Sequence, residues 1–172
     1  MVASQHLITA MVYDKPGVLN RVASLFRRRG FNISSIAVGA SEVSGVSRMT
    51  IVVDGATTMV EQVRKQLDKV VDVIKVSDIT GDSTIVRELA LIKVKSTSAT
   101  RSEIMQIVDI FRAKIVDVAV DSLAVEVTGD ELKIASLYNL LKGFGIKEIS
   151  RTGVIGMTRG NTLASDEDIN KE

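Results

Sequence analysis

The feature that most constrains the fold is a repeat in the order of the predicted secondary structure. Alternating apolar residues predict strands, and apolar residues three or four positions apart predict helices. Over the first eighty residues these patterns give the order β-α-β-β-α-β, and the same order follows again before residue 160. The 172 residues therefore divide into two small units of one design.

The boundaries of the elements come from turn and capping signals. In the first unit we predict strands at 6–13, 33–43, 48–53 and 71–79 and helices at 18–29 and 58–69. In the second unit we predict strands at 89–94, 115–120 and 123–128, helices after Thr100 and Asp130, and one extended segment at 146–157. The predicted helix caps are Thr58 with Glu61, Thr100 with Glu103, and Asp130.

This order predicts the α+β class, with two tandem ferredoxin-like units. In each unit an antiparallel sheet carries both helices on one face. We expect a first domain at 1–80, a second at 84–160 and a flexible tail at 161–172. The two helices leave the other face of each sheet bare, so we expect pairing with another sheet, either within the chain or between two chains. A homodimer is therefore expected.

Composition excludes several kinds of catalytic and metal site. The chain has no cysteine, so disulfides, thiolate metal sites and a cysteine nucleophile are excluded. Its one histidine, His6, cannot form a histidine metal cluster, and the acidic residues are dispersed. We therefore predict no catalytic residue and no metal site in this chain.

Charge and hydropathy also limit the partners. The 22 Lys and Arg residues balance 21 Asp and Glu residues, and aromatic residues make up 3% of the chain, so we predict no nucleic-acid binding. We interpret the arginines at 27–29 as cations at the end of a helix. No apolar run reaches the length of a membrane span, and the first residues do not resemble a signal peptide, so we expect no membrane partner and a cytoplasmic location.

The segment DKPG at 14–17 is the strongest candidate for a binding site. It places a carboxylate, a proline and a glycine directly before a predicted helix. The backbone N–H groups around Gly17, Val18 and Leu19 could hold a small carboxylate, because the first N–H groups of a helix have no acceptor within it. The helix dipole would add to this attraction.

Two polar side chains could bind an amino group at the same place. Asp14 belongs to the turn, and Asn32 starts the next strand. A small aliphatic amino acid would use a carboxylate, an ammonium and an apolar contact together. The same spacing also fits an ordinary turn in which Asp14 only caps the helix. In the second unit the corresponding segment, STSAT at 96–100, has no glycine, proline or acid, so we expect only the first unit to keep such a site.

Four sequence strings carry a resemblance to a known family. They are DKPGVLNRV at 14–22, RRGFNI at 28–33, SRMTI at 47–51 and RTGVIGMTRG at 151–160. In this order they resemble the small, regulatory subunit of acetolactate synthase, also called acetohydroxyacid synthase. The resemblance extends from about residue 7 to residue 160.

The resemblance implies an N-terminal ACT domain, a small-molecule-binding form of the ferredoxin-like unit, followed by an ACT-like domain. In such proteins two ACT domains pair across a homodimer, and valine or a related branched-chain amino acid binds between them. Many relatives have asparagine at the position of Asp14. The resemblance places the effector site at Asp14, Gly17, Leu19, Asn20, Asn32 and Ile33. Together with the turn residues Lys15, Pro16 and Val18, these are the effector-binding residues that we predict.

The resemblance also implies a function. Such a chain has no catalytic activity of its own. It activates a catalytic large subunit and transmits feedback inhibition in branched-chain amino-acid biosynthesis. Thiamine diphosphate, magnesium and FAD are expected in the large subunit, and no cofactor is expected in this chain. Two alternatives are an ACT-domain amino-acid sensor that serves another enzyme or a transcription circuit, and a small autonomous enzyme on the same scaffold.

Overall fold

The structure is a computed structural model of the chain, and it describes residues 4–80 and 83–160. Contacts divide the chain into two compact units. The second unit is Val86–Gly153, and the first contains the described residues up to Ile85 and again from Val154 onward. The first unit is therefore discontinuous in sequence. The residues of the predicted tail, 161–172, lie outside the described part of the chain.

The first unit has a four-stranded antiparallel sheet in the order β2-β3-β1-β4. Its elements are β1 (Ser4–Tyr13), α1 (Val18–Arg28), β2 (Asn32–Ala40), β3 (Val46–Gly55), α2 (Thr57–Leu67) and β4 (Val73–Asp78). A short ninth strand of the chain, β9 (Ile155–Thr158), also belongs to this unit.

The core of the first unit lies between the sheet and its two helices. Ile8, Ala10 and Val12 alternate along β1, which places all three side chains on the helix-facing side of the sheet. Val22 and Phe26, four residues apart, pack into the same core from α1. The apolar residues that alternate in the β1 sequence, and those spaced four apart in the α1 sequence, are therefore the residues that the structure buries.

The second unit repeats this design. Its sheet has the order β6-β7-β5-β8. Its core contains alternating residues of β5 and β7 together with apolar residues of both helices. The elements are β5 (Thr84–Lys95), α3 (Arg101–Ile110), β6 (Lys114–Val118), β7 (Ser122–Gly129), α4 (Glu131–Lys142) and β8 (Ile146–Arg151). The first two residues of β5 belong to the first unit, and β5 also pairs with β9. The predicted fold class, two antiparallel ferredoxin-like units, is confirmed.

The predicted extended segment at 146–157 is two strands. β8 ends at Arg151, and Gly153 adopts a positive φ of 81° before β9 begins. A single strand cannot continue through that left-handed conformation. The second compact unit ends at Gly153, whereas the predicted second domain is 84–160; residues from Val154 onward belong to the first unit.

The helix-free face of the first sheet is not bare, which corrects the expectation for this unit. A Cβ added to Gly156 of β9 would lie 2.9 Å from Leu7 Cδ2 and 3.4 Å from Ile79 Cδ1. Leu7 neighbours the core residue Ile8 in β1, so its side chain points to the opposite face. The N–H of Val154 donates to Ser35 Oγ of β2 at 2.9 Å. The returning chain therefore crosses this face.

The helix starts confirm one of the three predicted caps. Asp130 caps α4, because its Oδ1 accepts a hydrogen bond from the N–H of Lys133 at 2.8 Å. The capping box at Thr58 is wrong, since α2 begins one residue earlier with Ala56 at the N-cap position. Thr100 is the N-cap residue of α3, but no side-chain capping bond forms there.

Candidate functional site

The turn between β1 and α1 contains most of the predicted effector-binding residues. Gly17 is the N-cap residue of α1 and has φ 87° and ψ −7°, a left-handed conformation that favours glycine. No side chain caps this helix, so the interpretation in which Asp14 only caps it is wrong. A Cβ on Gly17 would meet nothing within 4 Å. The backbone at the helix start is therefore open to a small molecule.

Some of the N–H groups at this turn have an acceptor within the chain, and others are available to an anion. The N–H of Lys15 donates to the carbonyl O of Tyr13 at 3.0 Å, and the N–H of Val18 makes a long contact of 3.4 Å to the Lys15 carbonyl O. Among the residues that the structure describes, none accepts a backbone hydrogen bond from the N–H of Gly17, Leu19 or Asn20. These donors lie at the positive end of the helix dipole, where a carboxylate is stabilised.

The side chains of the turn differ in what they can offer a ligand. Asp14, Lys15, Pro16 and Asn20 are exposed. Leu19 is 49% exposed and offers an apolar contact, whereas the Val18 side chain is buried in the core, so Val18 can contribute only its backbone. The Nζ atom of Lys15 lies 4.9 Å from the centre of the Tyr13 ring. Asp14 supplies the exposed carboxylate next to the open N–H groups.

Asn32 and Ile33 lie at the other end of the sheet. Tyr13, which leads into the turn, pairs with Val46 at the start of β3. Asn32 pairs with Asp54, near the end of that strand, while Ala40 at the far end of β2 pairs with Ser47. A strand rises about 3.3 Å per residue, so β2 separates Asn32 from the turn by about 26 Å. Within one copy of the chain the structure does not bring these predicted residues together.

The turn between β5 and α3, at 96–100, is built like the turn between β1 and α1, and we call it the second corner. The N–H of Ser96 donates to the Asp121 carbonyl O at 3.0 Å, as that of Asp14 donates to the Gly45 carbonyl O at 2.8 Å. Arg101 follows this corner, and its Nη2 atom donates to the carbonyl O atoms of Ala119 at 2.8 Å and Val120 at 3.0 Å. Its Nε atom donates to Ser96 Oγ at 3.2 Å.

At this second corner, side-chain hydroxyl groups accept hydrogen bonds from the backbone N–H groups. The N–H of Thr97 donates to Thr100 Oγ1 at 3.0 Å, and the N–H of Thr100 donates to Thr97 Oγ1 at 3.2 Å. Together with Arg101 they fill the corner with the unit's own side chains. The sequence analysis missed Arg101. A cation in the first turn of a helix is repelled by the positive end of the helix dipole, so its presence there indicates that the side chain makes other interactions.

Residues 4–80 and 83–160 contain no group of three or more His, Asp or Glu that could hold a metal ion. His6 is buried in β1, with its Nδ1 atom 3.6 Å from Asp78 Oδ2. In the same part of the chain, no helix is long and apolar enough to cross a membrane.

Comparison with known proteins matches both units to one family. Residues 8–75 match the family model of an AHAS small subunit-like ACT domain, and residues 87–160 match the model of the small subunit of acetolactate synthase. The turn at 14–17 therefore lies within an ACT domain.

Similar proteins extend over nearly the whole chain. The probable acetolactate synthase small subunit of Archaeoglobus fulgidus is 54% identical over 91% of this chain and 98% of its own. The acetolactate synthase small subunit of Bacillus subtilis is 52% identical over 91% of both chains. The crystal structure of the small subunit from Thermotoga maritima has a TM-score of 0.86 and 45% identity, and the match covers 92% of this chain and 99% of that one. This chain belongs to the acetolactate synthase small-subunit family.

Proposed function

We propose that this chain is the non-catalytic regulatory subunit of an acetolactate synthase. It activates a separate catalytic large subunit and makes the assembled enzyme sensitive to valine or another branched-chain amino acid. The observation that carries this proposal is the open helix start at Gly17, within a domain of the matching ACT family. The small-subunit names of the relatives support the large subunit as the partner.

The turn at 14–17 has groups for each part of an amino acid. Its open N–H groups suit the carboxylate, the exposed Asp14 carboxylate suits the ammonium, and Leu19 suits an aliphatic side chain. Micromolar to millimolar binding requires about 4 to 8 kcal/mol. A helix end contributes about 0.3 to 2 kcal/mol and a buried aliphatic side chain about 1.5 to 3. No single group suffices, so we propose that the effector engages all three.

A homodimer would complete this effector site. β2 is an edge strand of the first sheet, and its Ala40 end lies on the side of the turn. If two copies pair antiparallel along β2, Asn32 of one copy approaches the Ala40 end of the other. The two-fold symmetry of such a pair creates this arrangement twice. We therefore assign Asn32 and Ile33 to the effector site of the neighbouring copy.

The chemistry of the reaction belongs to the large subunit in this proposal. Thiamine diphosphate, magnesium and FAD bind there, and this chain contributes no catalytic residue. The absence of cysteine and the single buried histidine leave the chain few groups for acid–base or nucleophilic catalysis. We place the assembled enzyme in the cytoplasm.

Reconstitution tests the proposal. The chain is titrated into purified large subunit, and acetolactate formation from pyruvate is followed with and without valine, leucine and isoleucine. We expect stimulation by the chain and inhibition of the reconstituted enzyme by at least one of the three amino acids. Binding of an amino acid without stimulation would favour a sensor for another enzyme or for a transcription circuit. Pyruvate turnover by this chain alone would contradict a non-catalytic role.

A further inference from the structure

Asp72 is a buried carboxylate close to the predicted effector turn. It precedes β4, and among the described residues of the first unit it is the one buried acid. The guanidinium of Arg21, in α1, contacts its carboxylate, and the two side chains are 55% and 9% exposed. A buried carboxylate is unfavourable unless a cation or hydrogen-bond donors accompany it. The Asp72 side chain therefore holds this part of α1 against the start of β4.

The backbone of Asp72 holds the other side of the same turn. Its carbonyl O accepts a hydrogen bond from the N–H of Tyr13 at 2.9 Å. Tyr13 is the last residue of β1, directly before Asp14. The N–H of Arg21 donates to the Gly17 carbonyl O at 3.0 Å, so the Arg21 backbone also contacts the turn. Asp72 thus contacts Tyr13, directly before the turn, and Arg21, four residues after Gly17.

We infer that Asp72 and Arg21 are positioning residues for the effector site. The inference rests on the proposed function in assigning the effector to the turn at 14–17. Gly17 has no capping side chain, so the spacing between the end of β1 and the start of α1 depends on backbone bonds, on the packing of Val18 in the core and on this ion pair. We expect the pair to hold the open N–H groups and Asp14 in one fixed arrangement, in which both can contact the same amino acid.

The second unit provides an internal comparison. There the N–H of Lys95, the last residue of β5, donates to the carbonyl O of Gly145 at 2.8 Å, directly before β8. Gly145 therefore stands where Asp72 stands in the first unit, and it has no carboxylate. The corner of the second unit is filled by its own Thr and Arg side chains instead. The ion pair is found in the unit that has the open turn.

The test compares Arg21→Met with Arg64→Met in the full-length chain. Arg64 makes an exposed ion pair with Asp68 on α2, with 3.6 Å between Nη1 and Oδ2, and serves as the matched control. We expect Arg21→Met to raise the Kd for valine at least fivefold and to accelerate hydrogen exchange at the Tyr13 and Asp14 amides at least tenfold. Arg64→Met should change both by less than twofold. Arg21→Lys, which keeps the charge, should restore part of the affinity.

The double variant Arg21→Met/Asp72→Asn keeps the inference testable if Arg21→Met does not fold, because it removes the buried charge. We expect this double variant to fold, and we expect its affinity for valine to remain lower than that of the unmodified chain. Unchanged affinity and exchange, or exchange that accelerates equally throughout the first unit, would overturn the inference. If the unmodified chain binds no branched-chain amino acid, the proposed function fails. The local exchange of Tyr13 and Asp14 still decides whether the ion pair positions the turn.

Discussion

Gly156 of β9 lies against Leu7 of β1 with no room for a side chain between them. A Cβ at position 156 would be 2.9 Å from Leu7 Cδ2, shorter than side chains tolerate, and Ile79 Cδ1 follows at 3.4 Å. The Nη2 atom of Arg48 reaches the Gly156 carbonyl O at 3.5 Å. The glycine thus lets β9 approach the helix-free face of the first sheet.

Gly156→Val is therefore expected to destabilise the chain. Overpacking of this kind costs about 1 to 3 kcal/mol, because Leu7 and Ile79 must move or β9 must detach. The free energy of unfolding from urea titration measures the effect. Gly143→Ala is the control, since its Cβ would make only an ordinary contact of 3.7 Å in a helical conformation. Equal stabilities of the two variants would show that β9 does not need this close approach.

Gly17→Asp is expected to abolish inhibition by the effector while activation of the large subunit persists. The new carboxylate would occupy the open N–H groups and repel the carboxylate of the ligand. Inhibition curves of the reconstituted enzyme measure this. Gly160→Asp is a suitable control, because Gly160 also has a positive φ, 72°, and open space around its Cβ position. The prediction fails if both variants remain as sensitive to valine as the unmodified enzyme.

Arg151→Met is expected to destabilise the second unit by about 1 to 3 kcal/mol, because it leaves a buried carboxylate without its donor. The Nε atom of Arg151 donates to Glu88 Oε1 at 2.9 Å, and its Nη2 atom donates to Oε2. Glu88 is 5% exposed, and its hydrogen bond raises the pKa of the Arg151 guanidinium.

Lys93→Met is the comparison for Arg151→Met in the same urea titrations. Lys93 and Glu148 form an exposed pair, with 3.9 Å between Nζ and Oε2, and losing it should change the free energy of unfolding by less than about 0.5 kcal/mol. The double variant Glu88→Gln/Arg151→Met should recover part of the lost stability. Equal effects of the two single variants would show that burial of Glu88 has no energetic consequence.

The carboxyl of Asp121 is expected to titrate below its ordinary pKa of 3.8. A hydrogen bond from Lys147 lowers this pKa, and the charge of the same ammonium lowers it further. A depressed pKa in the folded chain stabilises it above about pH 3.8, and this contribution is lost as the pH falls through the folded-state pKa. NMR titration of the Asp121 carboxyl should show the shift. Lys147→Met, or high salt, should move the value back toward 3.8.

Local patterns in the sequence predicted the two units and the turn well. Alternation along β1 and the four-residue spacing of Val22 and Phe26 reflect burial within one unit, so they are visible without the structure. The proline and glycine of the segment at 14–17 likewise mark the helix start that the structure shows at Val18.

Relationships between distant residues were not predictable in the same way. The separation of Asn32 from the turn follows from sheet register, which no local pattern encodes. The return of β9 depends on contacts of Gly156 with Leu7, some 150 positions away in the chain. The capping signal at Thr58 misled because α2 begins one residue earlier, with Ala56 at the N-cap position and no side-chain capping bond.

In sequence, the second unit is inserted between two segments of the first unit. The polypeptide leaves the first unit after Ile85 and re-enters it at Val154, so both junctions must be cut to separate the two bodies. A fragment that stops near residue 80 would lack β9 and leave Leu7 uncovered. Excising Val86–Gly153 and bridging the gap with a short glycine-serine linker is a better route to an isolated amino-terminal unit than simple truncation.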